Sequence, residues 1–330
     1  MRWSIEDELS RYGPGVDHPA VTPDAADAYV RRLALGHYEN FSVLSWFVPR
    51  ELRGDFAAVY AFCRWADDLG DELGDGPDDR ARGEELLGWW GDELERCFAG
   101  EARHPVYVAL RGTIERRRLT IEPFADLIDA FVQDQRVTRY GTWAEVLDYC
   151  RRSADPVGRI VLRLWGHRDA EMDRLSDQTC TALQLVNFWQ DVRRDILERD
   201  RVYLPSEIAD RHGLDIEAMA GDLRAGRPIE PHEAAARAAV REACERTAPM
   251  FAEGRALLRR VEPRNRPTLE LFSLGGEAVM QAVERGGYDT LRRRPSLCKT
   301  TKLRLLGRAL MGKLRLGRRA GRHGPQVRPA

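Results

Sequence analysis

Residues 179–203 read TCTALQLVNFWQDVRRDILERDRVY, and their spacing predicts one long helix. Gln184, Asn187, Asp191 and Asp195 stand at offsets of 0, 3, 7 and 11, so at about 3.6 residues per turn all four share one face. The neighbouring positions Leu183, Leu185, Val186, Phe188, Trp189 and Val192 are apolar. A polar stripe bordered by apolar surface needs partners, because burying unpaired carboxylates is costly. Hard cations supply them: they prefer oxygen ligands and are commonly held by one or two carboxylates together with substrate phosphates.

Residues 57–72, AAVYAFCRWADDLGDE, follow the same grammar. Tyr60, Arg64, Asp67 and Asp71 lie at offsets of 0, 4, 7 and 11. Asp67 with Asp71, and Asp191 with Asp195, are like-charged pairs one turn apart, an arrangement that weakens an isolated helix. Two such pairs on two apolar helices predict a facing cage for two or three divalent ions. Gln184 and Asn187 suit orienting water or binding a phosphate oxygen. Arg64 has two readings, a planar fork of donors for a diphosphate and a salt bridge to Asp68 one turn on. Tyr60 reads equally as a core residue, and His37 as either a structural histidine or a phosphate contact. Any aromatics lining the cavity would stabilise a carbocation through their π faces.

The totals fit a soluble catalyst better than a nucleic-acid binder. Apolar residues make up 43% of the 330 positions, charged residues 32%, and the net charge is −1. The charge is uneven, however: residues 291–330 hold 13 Lys/Arg and no Asp/Glu, so that segment is +13 and residues 1–290 are −14. The six cysteines are scattered without CxxC or zinc spacing, which predicts reduced thiols. No stretch has the character of a signal peptide or the ~18–20 apolar residues of a membrane span, so a cytoplasmic protein is expected. There is no GxGxxG after a strand, no P-loop and no GxSxG elbow, which excludes a Rossmann-type dinucleotide fold and serine hydrolase chemistry.

Taken in order, residues 1–21 read as an irregular arm and residues 22–292 as one all-α domain. Helices are expected at about 23–36, from Pro49 to about 73, at 78–99, 104–118, 122–138 and 142–167, through the central stretch, and at 231–261 and 265–290, with a looser section at 206–230. Residues 293–330 form a basic tail. Within it, LCKTTKLRLLGRALMGKLRL (297–316) reads either as an amphipathic helix on an anionic membrane surface or as leucines docked on the body.

YAFCRWADDLGDE and LQLVNFWQDVRRD resemble the two aspartate-rich motifs of the squalene/phytoene synthase family. HYENFSVLSWFVP (37–49), RVYLP after the second motif and YDTLRRRPSLCKTTKLRLL (288–306) match its remaining landmarks in order. The resemblance covers roughly residues 25–312. It implies the all-α isoprenoid synthase fold, a bundle around a metal-lined cavity. It also implies Mg²⁺, two or three ions, bridging Asp67, Asp71, Asn187, Asp191 and Asp195 to diphosphate, with Asp68 beside the first site. Tyr60, Arg64, Gln184 and Asn187 match positions around the diphosphate and metals, and His37 a diphosphate contact.

HYENF, YCRRSADPVGR and NFWQDV look most like the hydroxysqualene synthase branch. That branch ionises presqualene diphosphate and captures the rearranged cation with water, without NADPH, in a route feeding hopanoid synthesis; hand-over with other enzymes of that route is implied. Condensing members usually read NxxRD in the second motif, where this chain has Gln190 before Asp191; Gln190 is expected among the substrate-binding residues, and Asp155 stands where the branch would carry Asn. Two other readings stay open: a head-to-head prenyl synthase giving presqualene diphosphate, dehydrosqualene or phytoene, and a catalytically silent scaffolding relative. The four retained aspartates weigh against the silent one.

Overall fold

The computed structural model describes residues 3–37, 48–74, 76–298, 300–308 and 311, the side chains of 36 and 37 excepted. The described residues are all-α, relieved only by a single parallel bridge between Arg139 and Val202. Helices α1 (Ile5–Tyr12), α2 (Pro23–His37), α3 (Arg53–Asp71), α4 (Pro77–Ala99), α5 (Pro105–Arg117) and α6 (Glu122–Arg136) build the first half. The second half follows with α7 (Trp143–Ser153), α8 (Asp155–Leu164), α9 (Ala170–Arg199), α10 (Ser206–Arg211), α11 (Ile216–Arg224), α12 (Glu230–Gly254), α13 (Leu257–Arg260) and α14 (Arg266–Arg285).

Local signals set many of the boundaries. Proline occupies the first turn of α4, α5, α6, α8, α12 and α14, where its missing N–H costs nothing. Thr142 and Glu145 form a reciprocal capping box at the start of α7. The single helix expected over 142–167 is instead two, broken at Ala154, because Pro156 cannot continue the α7 hydrogen-bond ladder. The central helix begins earlier than expected: Asp169 accepts from the Met172 N–H and caps it. It ends at Asp200, which adopts a left-handed conformation with φ 50° and turns the chain back across α6.

Two corrections concern the termini. The arm expected to be irregular contains α1, whose Ile5 and Leu9 join the first core, and Tyr29 donates to Glu8 at 2.8 Å. The boundary at 292 is also too early. Pro295 is buried, Arg294 reaches the second aspartate motif, residues 300–308 are helical, and Arg308 pairs with Glu270 of α14 at 2.8 Å. The looser section 206–230 holds α10 and α11. No two of the six cysteines are bridged, and no helix among the described residues is long and apolar enough to cross a membrane.

The core is divided around two helices. In the first half, α3 packs on α2, α4, α5 and α6 and buries Phe62, Trp65, Ala66 and Leu69 among Trp90, Tyr107 and Phe124. In the second, α9 packs on α7, α8, α11, α12 and α14, burying Leu185, Trp189, Val192 and Ile196. Glycines let three of these neighbours approach closely. A Cβ on Gly158 of α8 would fall 2.2 Å from Ser176 Oγ, one on Gly254 of α12 2.1 Å from Thr179 Oγ1, and one on Gly276 of α14 2.5 Å from Leu183 Cδ2. Among the described residues α3 and α9 do not pack along their length; α6 packs against α3 and gives Ala130 to the second core. The gap is a cavity.

Candidate active site

That cavity holds about 280 Å³. From α3 it receives Asp67 and Asp71; from α9, Gln184, Asn187, Phe188, Asp191, Asp195 and, at its last residue, Arg199; from α6, Ala130, Phe131 and Asp134; from α7, Tyr149 and Ser153; and from the segment after α9, Arg201 and Tyr203. Both acidic pairs therefore face one space, as helical spacing requires. Gln184 and Asp195 are eleven residues apart, roughly 16 Å along the axis. The amides thus sit deep along the stripe, with the carboxylates towards the Arg199 end.

The electrostatics are strained by burial. Desolvation, reinforced by Asp191, pushes the Asp195 carboxyl up to about 7, against the opposing pull of Arg199, Arg194 and Arg201. Asp67 is half-exposed and rises to about 6, chiefly through burial and then through Asp71. Asp71 is the compensated member: Arg199 contacts it at 2.8 Å and Arg201 at 3.2 Å. Asp191 is gripped by Arg294, whose Nε meets one oxygen and whose terminal nitrogen donates to the other at 3.0 Å.

Beside these lies a polar network. Tyr149 donates to Asp134 at 2.7 Å, Tyr203 donates to its other oxygen at 3.3 Å, and Arg201 approaches at 3.6 Å. Burial raises Asp134 to about 6 even so. Tyr203 stacks on Phe188 with 3.8 Å between ring centroids and 7° between planes, which gives that side of the cavity a flat aromatic face.

A family model described as squalene/phytoene synthase matches residues 35–301. The chain belongs to the squalene/phytoene synthase family. It is 32% identical over 280 residues to the phytoene synthase of Thermus thermophilus, covering 85% of this chain and 91% of that protein. With the hydroxysqualene synthase of Sinorhizobium fredii it shares 38% over 186 residues, 56% of this chain and 61% of that protein, so the match spans about three fifths of that relative. Among solved structures it is similar to the squalene synthase HpnC from Alicyclobacillus acidocaldarius, with TM-score 0.72 and 44% identity over 81% of this chain and 95% of that one. A dehydrosqualene synthase crystallised with a ligand has the same fold, with TM-score 0.74 at 22% identity over 88% and 96%. The expected isoprenoid synthase fold is therefore present, in a family that processes prenyl diphosphates.

In this family member the structure brings six of the expected site residues to the cavity: Asp67, Asp71, Gln184, Asn187, Asp191 and Asp195. Others lie elsewhere. Asp68 is fully buried, accepts the Trp3 indole N–H at 2.7 Å and pairs with Arg64; burial pushes its carboxyl upward, with Arg64 opposing. It is a structural anchor and does not line the cavity. Arg64 takes the salt-bridge reading, reaching Asp68 at 2.9 Å and Glu72 at 2.7 Å, and does not line the cavity. Tyr60 also lies off the lining and packs against the first core. Gln190 is turned away, donating to the Pro295 carbonyl at 2.5 Å and accepting from Arg294 at 3.2 Å. Asp155 is buried on Thr181 at 2.7 Å, apart from the cavity. The His37 side chain lies outside the described residues, as does most of the 37–49 motif.

The expected cage is open. Among the described residues no three acidic, cysteine or histidine side chains converge to enclose one ion. The donor set nevertheless fits magnesium: it is all oxygen, it comes from two walls, and Asp67 and Asp195 carry the raised affinity for protons that a nearby cation would relieve. Each wall can offer Mg²⁺ one or two carboxylates, which leaves positions for phosphate oxygens.

The sequence reading missed Asp134, Arg199, Arg201, Tyr149, Tyr203 and Arg294. Arg201 and Tyr203 lie in RVYLP, a segment noticed for its place but not for its side chains. Asp134 sits on the face of α6 that lines the cavity between the motif helices, and an acid among Ala130, Phe131 and Tyr149 was its signal.

Proposed function

We propose that this protein converts presqualene diphosphate and water into hydroxysqualene and diphosphate, as the hydroxysqualene branch of its family does. The observation that carries this reading is Gln190, which replaces the arginine of the condensing NxxRD motif by an uncharged group committed to Pro295. The motif arginine is thus absent, and the cation at this wall, Arg294, is bound to Asp191 rather than free for a second prenyl diphosphate. The 38% identity to hydroxysqualene synthases supports the same branch.

In this reading Asp67 and Asp71 on one wall, and Asn187, Asp191 and Asp195 on the other, hold two or three Mg²⁺ ions. Bound magnesium neutralises the diphosphate as it departs. The chain's own residues do the rest. Gln184 and Asn187 donate to diphosphate oxygens from the α9 stripe. Arg199 and Arg201, now on Asp71, lie where a departing anion passes. The carbon–oxygen bond breaks with its electron pair leaving on the diphosphate, the cyclopropylcarbinyl cation rearranges, and water adds its oxygen and loses a proton. Phe188 and Tyr203 present π faces to the cation while Phe131 and Ala130 keep that region apolar.

One observation favours a second reading: the phytoene synthase match spans far more of this chain than the hydroxysqualene synthase match does. A head-to-head prenyl synthase would consume farnesyl or geranylgeranyl diphosphate alone. The test is incubation with Mg²⁺ and no NADPH, offering presqualene, farnesyl or geranylgeranyl diphosphate separately and identifying products by mass spectrometry. An alcohol from presqualene diphosphate alone is expected; condensation of either shorter diphosphate overturns the assignment.

A further inference from the structure

A second cleft, of about 380 Å³, lies between the end of α14 and the segment that follows it. Arg285, Arg293, Arg294, Ser296, Cys298 and Thr301 line it, and no carboxylate does. Arg294 is committed to Asp191 and Gln190. Arg285 and Arg293 have no acidic partner among the described residues, whereas Arg292 between them is held by Glu233. The cleft therefore presents guanidinium groups with no acidic partner among the described residues, in the planar geometry that suits phosphate.

The helix at 300–308 continues the same face. Arg308 pins it to Glu270, while Leu303 is 68% exposed and Met311 55%. Lys302 and Arg304 flank Leu303 and have no acidic partner among the described residues. A protruding leucine between cations with no acidic partner among the described residues, next in the chain to an arginine-lined cleft, has the chemistry of a bilayer interface: apolar side chains enter the acyl boundary and basic ones meet phosphates. The prenyl chains that this family handles dissolve in that same phase. Through Arg294 the face also abuts the second aspartate motif, so a prenyl diphosphate leaving the bilayer here has a short path to the cavity.

We propose that the cleft and the 300–308 helix dock on an anionic phospholipid bilayer, with lipid phosphates in the cleft and Leu303 in the acyl boundary.

The experiment is flotation of the full chain with phosphatidylcholine vesicles, with and without phosphatidylglycerol. Co-flotation is expected only with the anionic vesicles, and is expected to fall as salt is added. Arg285→Gln, Arg293→Gln, Lys302→Gln and Arg304→Gln combined should weaken partition on the order of 500-fold, since each basic residue near the surface contributes roughly fivefold. Leu303→Ser should weaken it several-fold at unchanged charge. None of these residues contacts the cavity, so helicity and thermal melting serve as folding controls. Equal binding to neutral vesicles, absence of binding, indifference to the variants, or tighter retention on RNA than on vesicles would each overturn the proposal.

Discussion

Asp195 is buried beside Asp191 at the end of the α9 stripe, and its carboxyl is pushed up to about 7. An unfolded aspartate titrates near 3.9. The folded state thus holds this proton more tightly than the unfolded chain does. Its stabilising contribution is complete below about pH 4 and is lost as pH rises through about 7. A divalent cation binds the ionised form, so the stabilisation it confers should grow over the same range. Thermal melts with and without Mg²⁺ should show a larger rise in Tm at pH 8 than at pH 5; equal rises would place the ion away from Asp195. The aspartates were legible in the sequence because like charges one turn apart have no structural reason to recur. Gln190 was misjudged as a substrate contact: adjacent helical residues point about 100° apart, and the neighbour of Asp191 turns instead to Pro295 and Arg294. Arg64 was not legible either, since a long flexible side chain on the correct face can still fold back onto Asp68 and Glu72.

At the scale of elements, α9 is an axle gripped by backbone. Gly158, Gly254 and Gly276 bring α8, α12 and α14 against it where any side chain would collide with Ser176, Thr179 or Leu183. Glycine inside a helix ordinarily costs about 1 kcal/mol relative to alanine. Here the preference reverses: Gly254→Ala forces its methyl onto Thr179 and should destabilise by about 1–3 kcal/mol, measured by urea unfolding. Adding Thr179→Ala should recover part of the loss; a Gly254→Ala protein more stable than the parent would show that α12 can slide. Helix periodicity gave most elements, because apolar three- and four-residue spacing survives in the sequence. It did not give the α7–α8 break, which depends on Pro156, or α1, whose short amphipathic pattern was outweighed by Gly13, Pro14 and Gly15. The close approach of helices was also hidden, since a glycine in a helix reads as weakness until its neighbour is known.

At the scale of the whole molecule, two cores centred on α3 and α9 meet through α6, and the site is the space between them. The N-terminal arm completes the first core. Trp3 donates to Asp68, one residue from a cavity aspartate. Trp3→Phe keeps the aromatic bulk and removes the donor. A hydrogen bond to a charged group contributes about 1.5–3 kcal/mol, and with Arg64 still on Asp68 a loss of about 1–2 kcal/mol is expected in urea unfolding. Unchanged stability would mean that the arm is not held by this bond. The all-α class and single bundle were legible from composition and periodicity, but the position of the chain's two ends was not, because neither Trp3 nor Arg294 stands in a periodic context.

The Trp3 bond also gives the protein an optical gauge. Indole emission responds to a carboxylate accepting its N–H, and that carboxylate rides on the same helical turn as Asp67. The difference between the fluorescence of the parent and of the Trp3→Phe protein therefore isolates one of eight tryptophans and reports events at the first acidic wall, without label, substrate or turnover.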